Sequence, residues 1–347
     1  MNQNKYLNLL NEIKGKTIAV VYIFEGEDAP GFEHYWVWKS DIITGWLNAI
    51  QEIQCIPYIV DVRTFIHKAV CNTLPPIDYV LNLNCGSCQL SSMSLVPSMC
   101  SFLSIPCIPC DAEAIIIAED KKISNHLAVS QNIRIPQNLP ADNRNGIYRP
   151  RNLGSSIGVQ IGSANNNFSN GLYQEFIRGY DCTIQLMFNP YKESIDFLPA
   201  LVYIPDSLDP NWIYDTEEKY TDTEHFKKVH IKTIDDTLKC KLLKYASLFP
   251  ITTYARIDAR IKFDHPILID DLSSLKINSE TFYFIEMNSM PTIEYEDTFS
   301  MSFDISKEDT NNSFYDIIHT YCDFIGKNSS MMGFLISSSM ISLKSKC

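Results

Sequence analysis

No stretch of this chain is long and apolar enough to cross a bilayer. The apolar runs Ala114 to Ala118 and Met331 to Ile336 fall far short of the about 20 residues a spanning helix needs. Met1 to Gly15 lacks an apolar h-region, so no export signal is expected. Positive charge is scarce too: Lys plus Arg is 29 against 41 Asp plus Glu, a net charge of −12. A field of that sign excludes nucleic acid and anionic membrane as expected partners but leaves room for a local basic pocket. Repeats and low-complexity tracts are missing. With 45% hydrophobic and 20% charged residues the chain reads as globular, and 347 residues fit two or three domains.

Cysteine is plentiful, but eleven is an odd number, and several of the eleven lie in apolar segments. Reduced thiols in the cytoplasm are the expectation, most of them acting as small buried hydrophobes. Cys85-Gly-Ser-Cys88 and Cys107-Ile-Pro-Cys110 form two CxxC pairs eighteen residues apart, a zinc-like spacing. They also fit a redox dithiol, or four cysteines near strand ends with no metal. Reduced cysteines without structural zinc are expected.

Short β-branched runs alternate with helical patterns in the first part. Lys16 to Ile23, Ile56 to Val60 and Ile77 to Leu83 read as buried strands, and Ser40 to Ile50 as a helix. This is the pattern of a parallel α/β sheet, which receives ligands at its strand C-termini. Asp111 to Val129 is predicted to be one helix capped by Asp111. Gly146 to Pro150, Val159 to Gly162, Leu172 to Phe176 and Cys182 to Phe188 read as strands, and Thr237 to Phe249 as a helix. Asp206 to Lys232 is polar, a solvated loop or a substrate lid, and His265 to Glu280 is a long polar excursion. Tyr254 to Lys262 alternates with Arg256, Asp258 and Arg260 on one face. Thr281 to Asn288 alternates with Glu286 and Asn288 together. Ser329 to Cys347 either frays or docks through Phe334, Leu335 and Ile336.

Three constellations could carry chemistry. Asp258, Glu286 and Asn288 present hard oxygens of the kind Mg²⁺ takes, or else form an outward strand face with scattered charge. Arg149-Pro-Arg-Asn-Leu-Gly-Ser-Ser-Ile-Gly158 is either an anion-cradling loop, through the N–H groups of Gly154, Ser155 and Ser156, or a plain turn; it lacks the Walker A spacing. Lys121, Arg149 and Lys219 are cations that matter only if the fold gathers them.

The order of these segments, from roughly Lys16 to Pro291, resembles the D-alanine–D-alanine ligase family of the ATP-grasp superfamily. The resemblance implies an α/β and α+β fold of three domains: an N-terminal parallel α/β domain over 1–111, a central subdomain over 112–183 and a C-terminal subdomain over 184–347. ATP would lie between the last two. By resemblance Lys121 and Arg149 meet the nucleotide phosphates, Arg149 standing where a lysine is usual. Gly154, Ser155 and Ser156 close over the phosphates. Gln174, Glu175 and Ile177 lie at the adenine-side hinge. Asp181 takes the ribose hydroxyls in place of a glutamate. Lys219 and Tyr220 cover the site, Arg256 stabilises the acyl phosphate, and Asp258, Glu286 and Asn288 hold Mg²⁺, with Mn²⁺ as a substitute. Glu33, in the loop after the first strand, is a candidate catalytic residue.

The sequence also departs from the family. Cys85-Gly86 stands where His-Gly is usual. Pro291-Thr292 is followed by Glu294, Glu296 and Asp297, where the family places small and neutral residues that receive a carboxylate. Three acids repel such a carboxylate, so an altered acceptor is expected, unless they merely face solvent. The implied activity is an ADP-forming ligase joining a small-molecule or short-peptide carboxylate to an amine. A genuine D-alanine–D-alanine ligase, and a nucleotide-binding descendant without catalysis, are the alternatives; a homodimer is left open.

Overall fold

The computed structural model describes residues 2–24, 38–86, 92–140, 146–154, 156–162, 171–215, 225–231, 233–263, 276–291, 293, 297–326 and 329–344. After α1 (Gln3–Glu12), the chain builds β1 (Thr17–Tyr22), α2 (Ser40–Glu52), β2 (Ile56–Asp61), α3 (Val62–Val70), β3 (Tyr79–Asn82), α4 (Leu95–Leu103) and β4 (Cys107–Ile108). The four strands form a sheet in the order β2-β1-β3-β4, and every pairing is parallel. Ile18 and Val20 of β1 enter one core and Ala19 and Val21 another, so both faces are covered, as a parallel sheet requires.

The segment predicted as one helix from Asp111 is two: α5 (Ala112–Glu119) and α6 (Lys121–Ser130). Asp120 between them is extended (φ −83°, ψ 94°). Its carboxylate accepts from the N–H groups of Lys122 (3.0 Å) and Ile123 (3.3 Å) and pairs with Arg151. The side chain thus starts a new helix where helical spacing alone suggested continuity.

A three-stranded antiparallel sheet follows, β6-β5-β7, from β5 (Gly146–Pro150), β6 (Gln160–Ile161) and β7 (Gly171–Glu175). The larger sheet contains β8 (Gly179–Asn189), β9 (Ser194–Phe197), β10 (Ala200–Pro205), β11 (Phe226–Ile231), β13 (Tyr254–Lys262) and β15 (Phe282–Asn288). Its order is β11-β10-β8-β13-β15, with β9 on β8. Two expectations change here. The polar segment 206–232 contains β11, which pairs antiparallel with β10. The polar excursion 265–280 ends in β14 (Lys276–Ile277), which pairs with β12 (Thr233–Ile234). In both places pairing with a neighbouring strand outweighs the polar composition. Helix α7 (Asp236–Leu248) buries Leu238, Leu242 and Tyr245 against the inner face of the large sheet.

The chain ends in α8 (Thr298–Glu308), α9 (Tyr315–Ile325) and α10 (Met331–Lys344). The tail docks: Phe334, Leu335 and Ile336 join Trp46 and Ile50 of α2 and Phe303 of α8 in one core. Two buried serines of α10 donate to the preceding turn, Ser337 to the Phe334 carbonyl (3.0 Å) and Ser339 to that of Leu335 (2.7 Å), while Ser342 donates to the Thr252 carbonyl. Among the described residues no helix is long and apolar enough to cross a membrane.

Candidate functional site

The site is built on one face of the large sheet. In the antiparallel β13–β15 pair, Arg256 opposes Asn288, Asp258 opposes Glu286 and Arg260 opposes Tyr283. The other face carries Ile257 with Met287, Ala259 with Phe284 and Ile261 with Phe282, all in the core. Strict alternation along β15 would put Phe282, Phe284, Glu286 and Asn288 on a single side. The register shifts between Asp258 and Ala259, and Ile285 is the extra residue. This bulge reverses the parity, so two phenylalanines enter the core while the two oxygen-bearing side chains leave it.

Each carboxylate of the opposed pair has its own cation. Arg256 holds Asp258 in a fork, Nε to Oδ1 at 2.7 Å and Nη2 to Oδ2 at 2.8 Å. Burial alone would lower the Arg256 pKa, but Asp258 outweighs it, with help from Tyr203 and Asp297, and the guanidinium stays charged. Lys121, the first residue of α6, sends its Nζ to Glu286 Oε2 (2.9 Å) and to the Leu153 carbonyl (2.7 Å). Its own N–H donates to Arg151 O (3.0 Å), which fastens the helix start to the loop after β5.

The small sheet supplies the opposite wall. Arg149 is buried. It donates to the bulge carbonyl of Ile285 (3.2 Å) and to Gln174 Oε1, while Gln174 Nε2 donates to Pro136 O (3.0 Å). Burial pulls the Arg149 pKa down and the nearby Glu286 opposes this. Glu175 accepts from Gln137 N (3.0 Å). The Ile177 carbonyl accepts from Arg260 Nε (2.8 Å). Asp181 is engaged at both oxygens, by Arg260 Nη1 (3.0 Å) and Tyr214 N (2.9 Å). Ser156 sits in a left-handed turn (φ 62°) and donates to the Tyr214 carbonyl (3.1 Å). Gly154 accepts the Ile157 N–H (3.0 Å) in the same turn. Glu33, Ser155, Lys219, Tyr220, Thr292, Glu294 and Glu296 lie outside the described residues. Asp297 caps α8, accepting from Ser300 N (2.9 Å).

Asp258, Glu286 and Asn288 offer two carboxylates and a carboxamide at adjacent register positions, a donor set that fits a hard divalent cation. Asn288 Oδ1 accepts from Met290 N at 3.0 Å. Among the described residues no three His, Cys, Asp or Glu side chains cluster as metal ligands. Cys88 is outside the described set; burial pushes the Cys85 thiol up to about 12 and raises those of Cys110 and Cys182 further. Cys107 is raised as well, by its hydrogen bond with Cys100 and by burial.

No protein-family profile matches the sequence, and no curated protein matches it. Solved structures do. A D-alanine–D-alanine ligase from Bacillus anthracis complexed with ATP aligns with a TM-score of 0.63 at 14% identity, over 96% of this chain and 100% of that one. The chain has the fold of the D-alanine–D-alanine ligases. D-alanyl-alanine synthetase A from Vibrio cholerae O1 biovar eltor gives 0.59 at 14% identity, over 90% of this chain and 99% of the other. A D-Ala:D-Ser ligase from Enterococcus faecalis gives 0.55 at 13%, over 90% and 100%.

Within this D-alanine–D-alanine ligase fold, two features carry no role in the sequence reading. Arg260 joins the segment after β7 to the large sheet, donating to the carbonyls of Ile177, Gly179 and Trp212 as well as to Asp181. Its place in the β13 alternation was the available signal. Beside Arg256, Tyr203 stacks on Tyr214 with ring centroids 4.6 Å apart, and Phe226 meets Tyr214 edge-on at 5.0 Å. These rings come from three segments, and nothing local in the sequence marks their meeting.

Proposed function

We propose that this protein is an ADP-forming, ATP-dependent ligase that activates a carboxylate as an acyl phosphate and joins it to an amine, with an acceptor other than D-alanine. The observation that supports this best is the opposed carboxylates Asp258 and Glu286 on one strand pair, held by Arg256 and by Lys121 from α6, with Asn288 alongside.

In this reading Asp258, Glu286 and Asn288 would hold Mg²⁺, which when bound neutralises and orients transferring phosphates. Lys121 and Arg149 bind phosphate oxygens, and the turn at Gly154, Ser155 and Ser156 covers them. Gln174, Glu175 and Ile177 border the adenine, and Asp181 faces the ribose, exchanging its contact with the Tyr214 N–H. The donor carboxylate attacks the terminal phosphorus, and ADP leaves. The amine then attacks the acyl carbon, phosphate leaves, and the amine loses a proton to give the amide. Arg256 stabilises the oxyanion of that addition. Lys219 and Tyr220, with Ser155 and Ser156, complete a water-excluding cover, and Glu33 lies beside the donor carboxylate. Three working parts are proposed, built on the β1–β4 sheet, the small β5–β7 sheet and the large sheet. The 183/184 division expected from the sequence falls inside β8 (Gly179–Asn189), and the tail counted with 184–347 docks on the first part.

Acceptor choice rests on the acids after Pro291. Asp297 is committed to capping α8, yet its charge still reaches Arg256. A free acceptor carboxylate meets that negative charge, whereas an amine with its carboxylate masked or an extra positive charge does not. The solved neighbours are themselves named for different acceptors, D-alanine and D-serine. The test is ADP release with D-alanine as sole amino acid against a panel of amines, polyamines and amino-acid amides. Amides or polyamines should be the better acceptors. Efficient D-alanyl-D-alanine formation would reject the altered acceptor and leave the ligase standing. Tight ATP binding without product would favour a non-catalytic descendant.

A further inference from the structure

We infer that the outer face of α4 is a self-association surface, on which a second copy of this chain packs about a twofold axis running along the helix. Leu95, Met99 and Phe102 recur at spacings of four and three, so they share one side of α4. The opposite side, with Val96 and Cys100, enters the core over the parallel sheet. Phe102 is 80% exposed, and Val70 at the end of neighbouring α3 is 72% exposed. They are the two most exposed large hydrophobic side chains among the described residues. Both helices follow parallel strands and run back along the sheet, so their last turns lie at the same end and the two side chains extend one patch. Residues 56–86 and 92–120, which form the patch and its surroundings, are all described. A contiguous apolar patch of this kind marks an interaction surface.

Charge points to what covers it. No residue from Tyr79 to Cys110 is charged, and α4 alone among the described α-helices carries no charged side chain. Two copies of a chain with net charge −12 repel, and the repulsion is least where neither surface carries charge. A twofold interface also sets each residue near the axis against its own twin, so a charge there would meet its like. A neutral helix with an exposed phenylalanine suits that position.

The flanks of α4 are charged, and with opposite signs. α4 lies between α3 and α5 and packs on both. α3 carries Arg63, His67 and Lys68 and no acid, its capping Asp61 being buried. α5 and its cap carry Asp111, Glu113 and Glu119 and no base. A twofold axis along α4 carries α3 of one copy over α5 of the other, base on acid. An axis in the same plane but across α4 would set α3 on α3 and α5 on α5, like on like. The charge pattern therefore complements itself in one arrangement, with the two α4 helices parallel. This surface is independent of the proposed ligase chemistry.

Sedimentation velocity of the full chain tests this. A particle of two chains is expected, with a dissociation constant below about 100 µM. Phe102→Glu should raise that constant at least about tenfold and leave the circular dichroism unchanged. Glu113→Lys, which sets a base opposite α3 of the second copy, should raise it about threefold or more at low salt. Cross-linking with a short bis-maleimide, read by peptide mass spectrometry, reports the axis without relying on either variant. With Leu95→Cys and Phe102→Cys made separately, each new thiol should link to its own twin. A monomer up to about 100 µM would leave the face to a different partner and overturn the proposal. So would a dimer whose constant is unchanged in Phe102→Glu or in Glu113→Lys, or one in which neither position links to its twin.

Discussion

Asp258 and Glu286 are directly opposed on β13 and β15, and each is paired with a cation from a different part of the chain. Arg256 comes from the same strand as its partner, whereas Lys121 reaches across from the start of α6. The pair is thus held by the large sheet on one side and by the helix that follows Asp120 on the other. A change at either support should disturb both carboxylates.

Asp120 is the first such support. Asp120→Ala removes the cap of α6 and leaves Arg151 without its buried partner. The expected loss is about 1–3 kcal/mol in chemical denaturation. Burial pushes the Asp120 carboxyl up, but the Arg151 contact and the N–H groups of Ile123 and Lys122 outweigh it, so its pKa is below the ordinary value. A depressed carboxyl adds stability that is complete above the unfolded-state pKa, near 3.9, and lost as pH falls through the folded value. Native protein should therefore lose stability on acidification below about pH 4, and Asp120→Ala should lose less over the same range. Parallel acid titrations of the two would contradict the assignment.

The docked tail gives a second prediction. Glu52 of α2 accepts from Tyr321 Oη (2.8 Å) and from Ser330 N at both oxygens (2.9 and 3.0 Å), which joins α9 and the start of α10 to the N-terminal core. Glu52→Ala strands a buried tyrosine hydroxyl and an N–H group. It should cost about 1–3 kcal/mol by urea denaturation. An unchanged midpoint would show that the tail docks through apolar contact alone.

Thiol labelling tests the cysteine reading. With its pKa near 12, Cys85 has about one part in ten thousand thiolate at pH 8. Cys71 and Cys240 are exposed, whereas Cys107, Cys110 and Cys182 are buried. Iodoacetamide followed by peptide mass spectrometry should find Cys71 and Cys240 modified first in the folded protein. Rapid labelling of Cys85 or Cys110 would speak for an activated dithiol instead.

Much of this architecture can be read from residue patterns. The parallel N-terminal sheet follows from β-branched runs separated by helical spacing, and the Arg256–Asp258–Arg260 face follows from period-two alternation. The resemblance led to Lys121, which the structure puts 2.9 Å from Glu286. Other features depend on contacts between distant segments. The bulge at Ile285 has no local mark, because Thr281 to Asn288 alternates well enough to hide it; only the need to bury Phe282 and Phe284 reveals the shift. The break at Asp120 competes with a perfectly good helical stripe and wins through Arg151, thirty-one residues away. The strand at Phe226–Ile231 is polar enough to read as loop, and its partner β10 decides its state. Among the described residues the buried carboxamide of Asn125 meets no hydrogen-bond partner, and no sequence pattern marks it.

The most direct test of the central claim is Mg²⁺-dependent ADP release by the native protein and by Glu286→Gln, each given ATP, a donor carboxylate and the amine panel. Glu286→Gln keeps the size of the side chain and its strand position, so circular dichroism should be unchanged. Phosphoryl transfer should fall by about two orders of magnitude or more, because the carboxylate opposite Asp258 no longer helps to hold the cation. Native turnover in Glu286→Gln, with the same Mg²⁺ dependence, would contradict the account.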